Sequence, residues 1–105
     1  MNEVAAKDTH GLYNSRMNSH QYGSIKRFGS KGSSTYAVKL GFDFQPGNYV
    51  SFWDATRLTN WLSNGQGNGS TETDSYTLGS VANPENASAT RNLGAKWMVT
   101  SENEW

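Results

Sequence analysis

The sequence predicts an α+β domain on three observations: a capped amphipathic helix near residues 52–62, a β-hairpin signal over residues 24–40, and long polar loops joining them. At 105 residues there is room for a single domain. Its core is limited by aliphatic supply. Leu, Ile, Val and Phe together number 16 of 105, below the one-fifth level that, joined to high net charge, marks disorder. Nine basic and nine acidic residues give zero net charge, so the second half of that criterion fails. Four Trp and five Tyr bring large buried areas per residue, and the composition fits a compact, aromatic-rich, loop-rich domain.

Residues 1–7 favour helix, with Val4, Ala5 and Ala6 as a small apolar face, and Asp8-Thr9-His10-Gly11 punctuates them. Residues 11–23, rich in Asn, Ser, Gly and Tyr, read as irregular coil. The hairpin has residues 24–28 as its first strand and Gly29-Ser30-Lys31-Gly32 as its turn. In its second strand, residues 35–40, Tyr36, Val38 and Leu40 alternate with Ala37 and Lys39, so one face is expected to be buried. Phe42 and Phe44 continue the alternation up to a turn at Pro46-Gly47.

The helix carries its own start and stop signals. Ser51 fits the N-cap and Asp54 the N3 position of a variant capping box, with Val50 placed to staple onto Ala55. Phe52, Ala55, Leu58, Thr59 and Leu62 recur at helical spacing, a stripe expected to be buried on a small sheet that includes residues 35–40. Gly65 suits the C′ position. Residues 63–73 hold no core residue and read as a mobile connector. Tyr76-Thr77-Leu78 reads as a short strand, residues 79–94 as a second polar loop, and residues 96–99 as a strand with Trp97 and Val99 on one face. Ser101 and Glu104 then spell a second capping box. A first helical turn is unfavourable until propagation or packing compensates it, so this start signal predicts that the chain is part of something longer.

Motifs of catalysis are sparse. Gly65-x-Gly67-x-Gly69 follows a helix, whereas a phosphate cradle follows a strand and opens a helix, so a connector is the better reading. Asn68, Glu72 and Asp74 lack the spacing and closing Glu of a calcium loop. His10 and His20 stand ten residues apart with no third ligand at regular spacing. Zero cysteines exclude disulfides, thiolate metal sites and a Cys nucleophile from this chain. Asn68-Gly69-Ser70 and Asn86-Ala87-Ser88 are formal glycosylation sequons. Trp53, Trp61, Trp97 and Trp105 form either a binding platform or, more simply, core. The first 47 residues carry a three-charge basic excess and the remainder an equal acidic one, without the clustering that nucleic acid requires. Residues 1–20 are polar, and no apolar run approaches the length of a spanning helix.

Five segments then resemble one family. Asn48-Tyr49-Val50-Ser51-Phe52-Trp53-Asp54-Ala55-Thr56-Arg57, Asn60-Trp61-Leu62, Thr71-Glu72-Thr73, Tyr76-Thr77-Leu78 and Ser101-Glu102-Asn103-Glu104-Trp105 are similar to the formylglycine-generating enzyme, or sulfatase-modifying factor, family. Its consensus runs N-x-V-S-W-x-D-A, then W-L, then L-P-S/T-E-x-E-W. Thr9-His10-Gly11-Leu12-Tyr13-Asn14 and the hairpin region 23–38 resemble a bacterial subgroup often found in exported proteins. Met98-Val99-Thr100 departs from the Leu-Pro that precedes the capping Ser, and Pro46-Gly47-Asn48 shifts the usual Pro-Val-Asn. The family's opening strand and its second half, with calcium loops and copper-binding catalytic cysteines, have no counterpart in residues 1–105.

What the resemblance implies is a partial C-type-lectin-like fold over residues 1–105, a single truncated domain with no catalytic residue, metal site or cofactor of its own. Three functions follow as expectations: a non-catalytic domain that acts by binding, half of an oxidase completed by a partner chain, or a ligand-display module that presents loops such as residues 63–73. The implied partner is a protein or the missing C-terminal half of the domain, and neither nucleic acid nor membrane.

Overall fold

Short-range hydrogen bonding decides most of the local structure. The computed structural model describes residues 1–6, 12–30, 32–78 and 90–104, and shows an α+β arrangement of one main helix and one two-stranded antiparallel hairpin. His10, Lys31, Trp105, the Asn86 sequon and most of the polar loop at 79–94 lie outside the described residues. The chain divides into two compact units, Met1–Val50 and Ser51–Trp105. No helix among the described residues is long and apolar enough to cross a membrane.

In the N-terminal unit the helical tendency of the first residues yields only a single 3-10 turn, Asn2–Val4, with Val4 and Ala5 buried. Within the segment expected to be coil lies helix α1 (Arg16–Ser19), one turn long, which buries Met17. Its cause is local: the Asn14 carboxamide oxygen accepts from the Arg16 amide at 2.9 Å and satisfies a donor that a helix start leaves open. The hairpin follows as β1 (Ile25–Phe28) and β2 (Thr35–Val38), with Ile25 opposite Val38 and Phe28 opposite Thr35. Two contacts build on the Arg27 and Tyr36 pair. The Arg27 guanidinium lies 4.8 Å from the centre of the Tyr13 ring, and Tyr13 packs against Tyr36 at 5.5 Å.

The buried face expected of residues 36, 38 and 40 is not formed. Tyr36 is half-buried, Val38 is more than half exposed, and Leu40 is fully exposed. The reason lies at Lys39. Its amide donates to Ser24 at 2.8 Å, and its ammonium reaches back to the Asn18 and His20 carbonyls. Two turns follow, closed by Phe42 N–H to Lys39 at 3.0 Å and Gln45 N–H to Phe42 at 3.1 Å, so the alternation through Phe44 describes no strand and Phe44 is exposed.

In the C-terminal unit helix α2 (Phe52–Ser63) starts and stops as the sequence predicts. Ser51 Oγ accepts from the Asp54 amide at 3.2 Å, and Asp54 Oδ2 accepts from the Ser51 amide at 2.8 Å. At the other end Gly65, at φ 79°, donates to Leu62, and Gln66 donates to Trp61, the paired bonds of a Schellman cap. Glycine is favoured there because an L side chain at positive φ crowds the adjoining carbonyl.

The face that α2 buries shares only Thr59 with the stripe expected. Thr56, Arg57, Thr59 and Asn60 are buried, whereas Phe52 and Leu58 are 50% and 52% exposed and Ala55 and Leu62 are only partly covered. The segment that packs on the helix within this unit is its own downstream loop, which offers carbonyls and a carboxylate in place of aliphatic side chains. Polar partners therefore decide which face turns inward. Neither expected strand forms: Tyr76 makes an isolated bridge with Arg91, and residues 96–99 pair with no strand among the described residues. Trp97 is exposed and Val99 half-buried, because the Val99 backbone is engaged by the Tyr76 hydroxyl.

With Leu58 half exposed, Leu58→Ala should cost about 1 kcal/mol or less, well below the ~2–5 kcal/mol of a buried leucine. Urea unfolding of the variant measures it, and a loss of roughly 3 kcal/mol would show that Leu58 is core.

Candidate functional site

The site the structure assembles is the platform on which α2 holds residues 63–76. Asn60, fully buried, donates from Nδ2 to the Thr71 and Tyr76 carbonyls, both at 2.9 Å, and accepts the Tyr76 amide on Oδ1 at 2.8 Å. Arg57 Nε meets Glu72 Oε1 at 2.8 Å with both side chains largely buried, and Thr71 Oγ1 donates to the same oxygen at 3.0 Å. One turn further on, Asn64 donates to the Ser70 and Thr73 carbonyls, Trp61 Nε1 donates to the Gly67 carbonyl, and Ser63 pairs with Ser75. Asn60, Trp61 and Asn64 thus hold backbone of the loop, and Arg57 one turn earlier holds its Glu72 carboxylate. The connector read as mobile is instead tied down, and its glycines serve its folding. At Gly69 a Cβ would come within 2.8 Å of the Asn64 carbonyl oxygen, so only glycine lets the loop lie this close.

From Tyr76 the framework runs to the end of the described chain. Its hydroxyl donates to the Val99 carbonyl and accepts the Val99 amide, and its backbone bridges Arg91. Arg91 makes a bidentate pair with Glu104 at 3.0 and 2.7 Å. Glu104 Oε2 also accepts from the Ser101 amide at 2.8 Å and from its hydroxyl at 3.0 Å, so the second capping box forms one half of its reciprocal pattern. Asp74, at φ 118°, is held in this uncommon conformation with its carbonyl accepting from Asn92 Nδ2.

Among the described residues the groups weighed for catalysis or ligand binding do not converge. Gly65 closes the cap of α2, the Gly67 carbonyl accepts from Trp61 and Gly69 lies against Asn64, and Glu72 is committed to Arg57 and Thr71 while Asp74 and Asn68 are exposed. Among the described residues no three His, Asp or Glu stand close enough to hold a metal ion. His20 packs in the N-terminal unit between Tyr22 and Tyr49, at 5.4 and 5.5 Å, with Nδ1 accepting the Tyr22 amide. No two tryptophan rings stack on each other among the described residues. The copper and calcium of the family resembled do not fit the described residues, since soft thiolate donors are absent from the chain and no three carboxylates or histidines among those residues stand together.

The residues that carry the platform, Asn60 above all, were missed in the sequence. A mid-helix asparagine between Thr56, Thr59 and Asn64 was the available signal, because asparagine weakens a helix unless its amide is used elsewhere. No family model matches the chain, and neither the curated proteins nor the solved structures offer a match.

Two outcomes follow. Asn60→Ala strips the buried N–H and carbonyl of Tyr76 and the part-buried carbonyl of Thr71 of their partner, so it should cost about 2–5 kcal/mol, several times the effect at Leu58, and open the Tyr76 amide to hydrogen exchange. The second concerns acid. The Arg91 pair, followed by the Ser101 amide and hydroxyl, holds the Glu104 carboxyl at about 2, below its ordinary 4.5. A depressed carboxylate stabilises the fold above its unfolded value and loses that contribution as pH falls through its folded value. The turn at residues 101–104 should therefore persist at about pH 4 and release on approach to about pH 2. The Ser101 amide NMR shift reads this, and Glu104→Gln should flatten its titration.

Proposed function

We propose that the chain is a non-catalytic, partial sulfatase-modifying-factor-like domain that acts by binding, with a C-type-lectin-like architecture as the finer description of its α+β fold. One observation supports the reading. The segments that carry the resemblance supply many of the side chains of the C-terminal polar framework: Ser51 and Asp54, Arg57 and Asn60, Glu72, Tyr76, and Ser101 with Glu104. A motif whose residues cap helices and anchor loops is a scaffold motif, and it needs no catalytic group to persist. The chemistry of the family requires thiolates, and this chain supplies none. A binding role is consistent with the large apolar side chains that stand exposed, among them Phe44, Leu93 and Trp97.

The test is an oxidation assay on a cysteine-containing sulfatase-type peptide with Cu(I) and oxygen, read by mass spectrometry. The purified chain should form no formylglycine and should not retain Cu(I) against a competing chelator. Formylglycine made by the chain alone overturns the proposal. Formylglycine made only when the cysteine-bearing half of a family member is added in trans replaces it with the split-oxidase reading.

A further inference from the structure

The sequence contains two Asn-Gly pairs, Asn64-Gly65 and Asn68-Gly69, and both fall in the loop that α2 holds. Asn-Gly is the dipeptide most open to intramolecular imide formation, because glycine has no side chain to keep the following amide nitrogen from the asparagine carboxamide. By sequence the two pairs are equivalent. The structure makes them different. Asn64 is the C-cap of α2, with its amide bonded to Asn60 at 2.9 Å and its Nδ2 donating to Ser70 at 3.0 Å and Thr73 at 2.8 Å. It is also pinned against Gly69, where a Cβ would stand 2.9 Å from the Asn64 Cβ. Asn68 is exposed, and its side chain has no hydrogen-bond partner among the described residues.

We infer that Asn68 is a site of spontaneous, self-catalysed deamidation in the folded protein and that Asn64 is protected from the same reaction by the carbonyls of the loop. The Gly69 amide nitrogen, losing its proton, attacks Cγ of Asn68. The Cγ–Nδ2 bond breaks and ammonia leaves, closing a five-membered succinimide. Water then opens either imide carbonyl, giving aspartate or isoaspartate. The net change is one water consumed and one ammonia released, with no oxidant or cofactor. Each event places one negative charge on a chain whose formal net charge is zero, and the isoaspartyl product inserts an extra backbone carbon where Trp61 binds the Gly67 carbonyl.

One contact opposes the reaction: the Gly69 N–H donates to the Gln66 carbonyl at 2.8 Å and must give up that bond. Asn64 faces a comparable restraint, since the Gly65 N–H donates to Leu62 at 3.3 Å, and it must in addition break two side-chain bonds to reach attack geometry. Two such bonds set the expected selectivity at roughly tenfold or more in favour of Asn68. Removing the liability by substituting the glycine is blocked, because a Cβ at Gly69 would lie 2.8 Å from the Asn64 carbonyl oxygen.

The experiment ages the whole chain at mildly alkaline pH, folded and in concentrated urea, and maps aspartyl and isoaspartyl products by peptide mass spectrometry alongside released ammonia. The expected result is conversion at Asn68 roughly tenfold or more faster than at Asn64 in the folded chain, and near-equal rates in urea. Asn68→Gln, which would need a slower six-membered ring, should abolish the folded-state signal and leave Asn64 intact. Equal rates at the two sites in the folded chain overturn the inference, as does no reaction at Asn68 when folded. A preference for Asn68 that survives unchanged in urea also overturns it, since sequence and not the loop would then be the cause.

Discussion

A carboxamide that pairs with both backbone groups of one tyrosine recurs in each unit of this chain. In the C-terminal unit Asn60 accepts the Tyr76 amide and donates to the Tyr76 carbonyl; in the N-terminal unit Asn2 does the same to Tyr36, at 2.6 and 3.0 Å. An amide side chain carries the same donor and acceptor as a peptide unit, so it can stand where a neighbouring strand would stand. At Tyr36 it occupies the outer edge of β2, and at Tyr76 it substitutes for most of a ladder that never forms. A backbone pair buried without such a partner would cost more than the mean value of a hydrogen bond, which is why the loops can lie against a helix at all.

This device explains how a chain with few aliphatic residues stays ordered. The fully buried side chains include Met17, Asn60, Thr56 and Ser75, so polar atoms fill places that leucine or valine fill elsewhere. Such an interior is tolerable only when it is satisfied, and among the described residues no buried side-chain nitrogen or oxygen lacks a partner. The Arg57 and Glu72 pair fits the same logic. Burying it gains little by itself, but its geometry fixes which stretch of loop lies on which turn of the helix.

The same logic separates what was legible in the sequence from what was not. Ser51 with Asp54 and Gly65 with its Schellman bonds were readable because their partners lie within a few residues, where spacing determines contact. The hairpin was readable from its turn glycines and the residue types that flank them. The inward face of α2 was not readable, because the periodicity argument assumes an aliphatic partner, and the partner in this unit is loop backbone 11 to 16 residues away. Residues 96–99 failed as a strand for a related reason. Alternating Trp97 and Val99 satisfies a pattern, but the Tyr76 hydroxyl takes both backbone groups of Val99 before any strand can.

A framework of this kind also fails differently from an aliphatic core. Loss of a methyl group in a packed interior removes contacts in proportion to the cavity, and neighbours relax toward it. Loss of the Asn60 carboxamide leaves three backbone groups unpaired at once, at Thr71 and Tyr76, while the links through Arg57, Trp61, Ser63 and Asn64 remain. Damage here therefore falls on the loop around Thr71 and Tyr76 and is small for the helix, whose caps at Ser51 and Gly65 do not use the Asn60 side chain. Stability in the C-terminal unit is consequently hierarchical: α2 first, the loop upon α2, and the turn at residues 101–104 upon the loop through Tyr76 and Arg91.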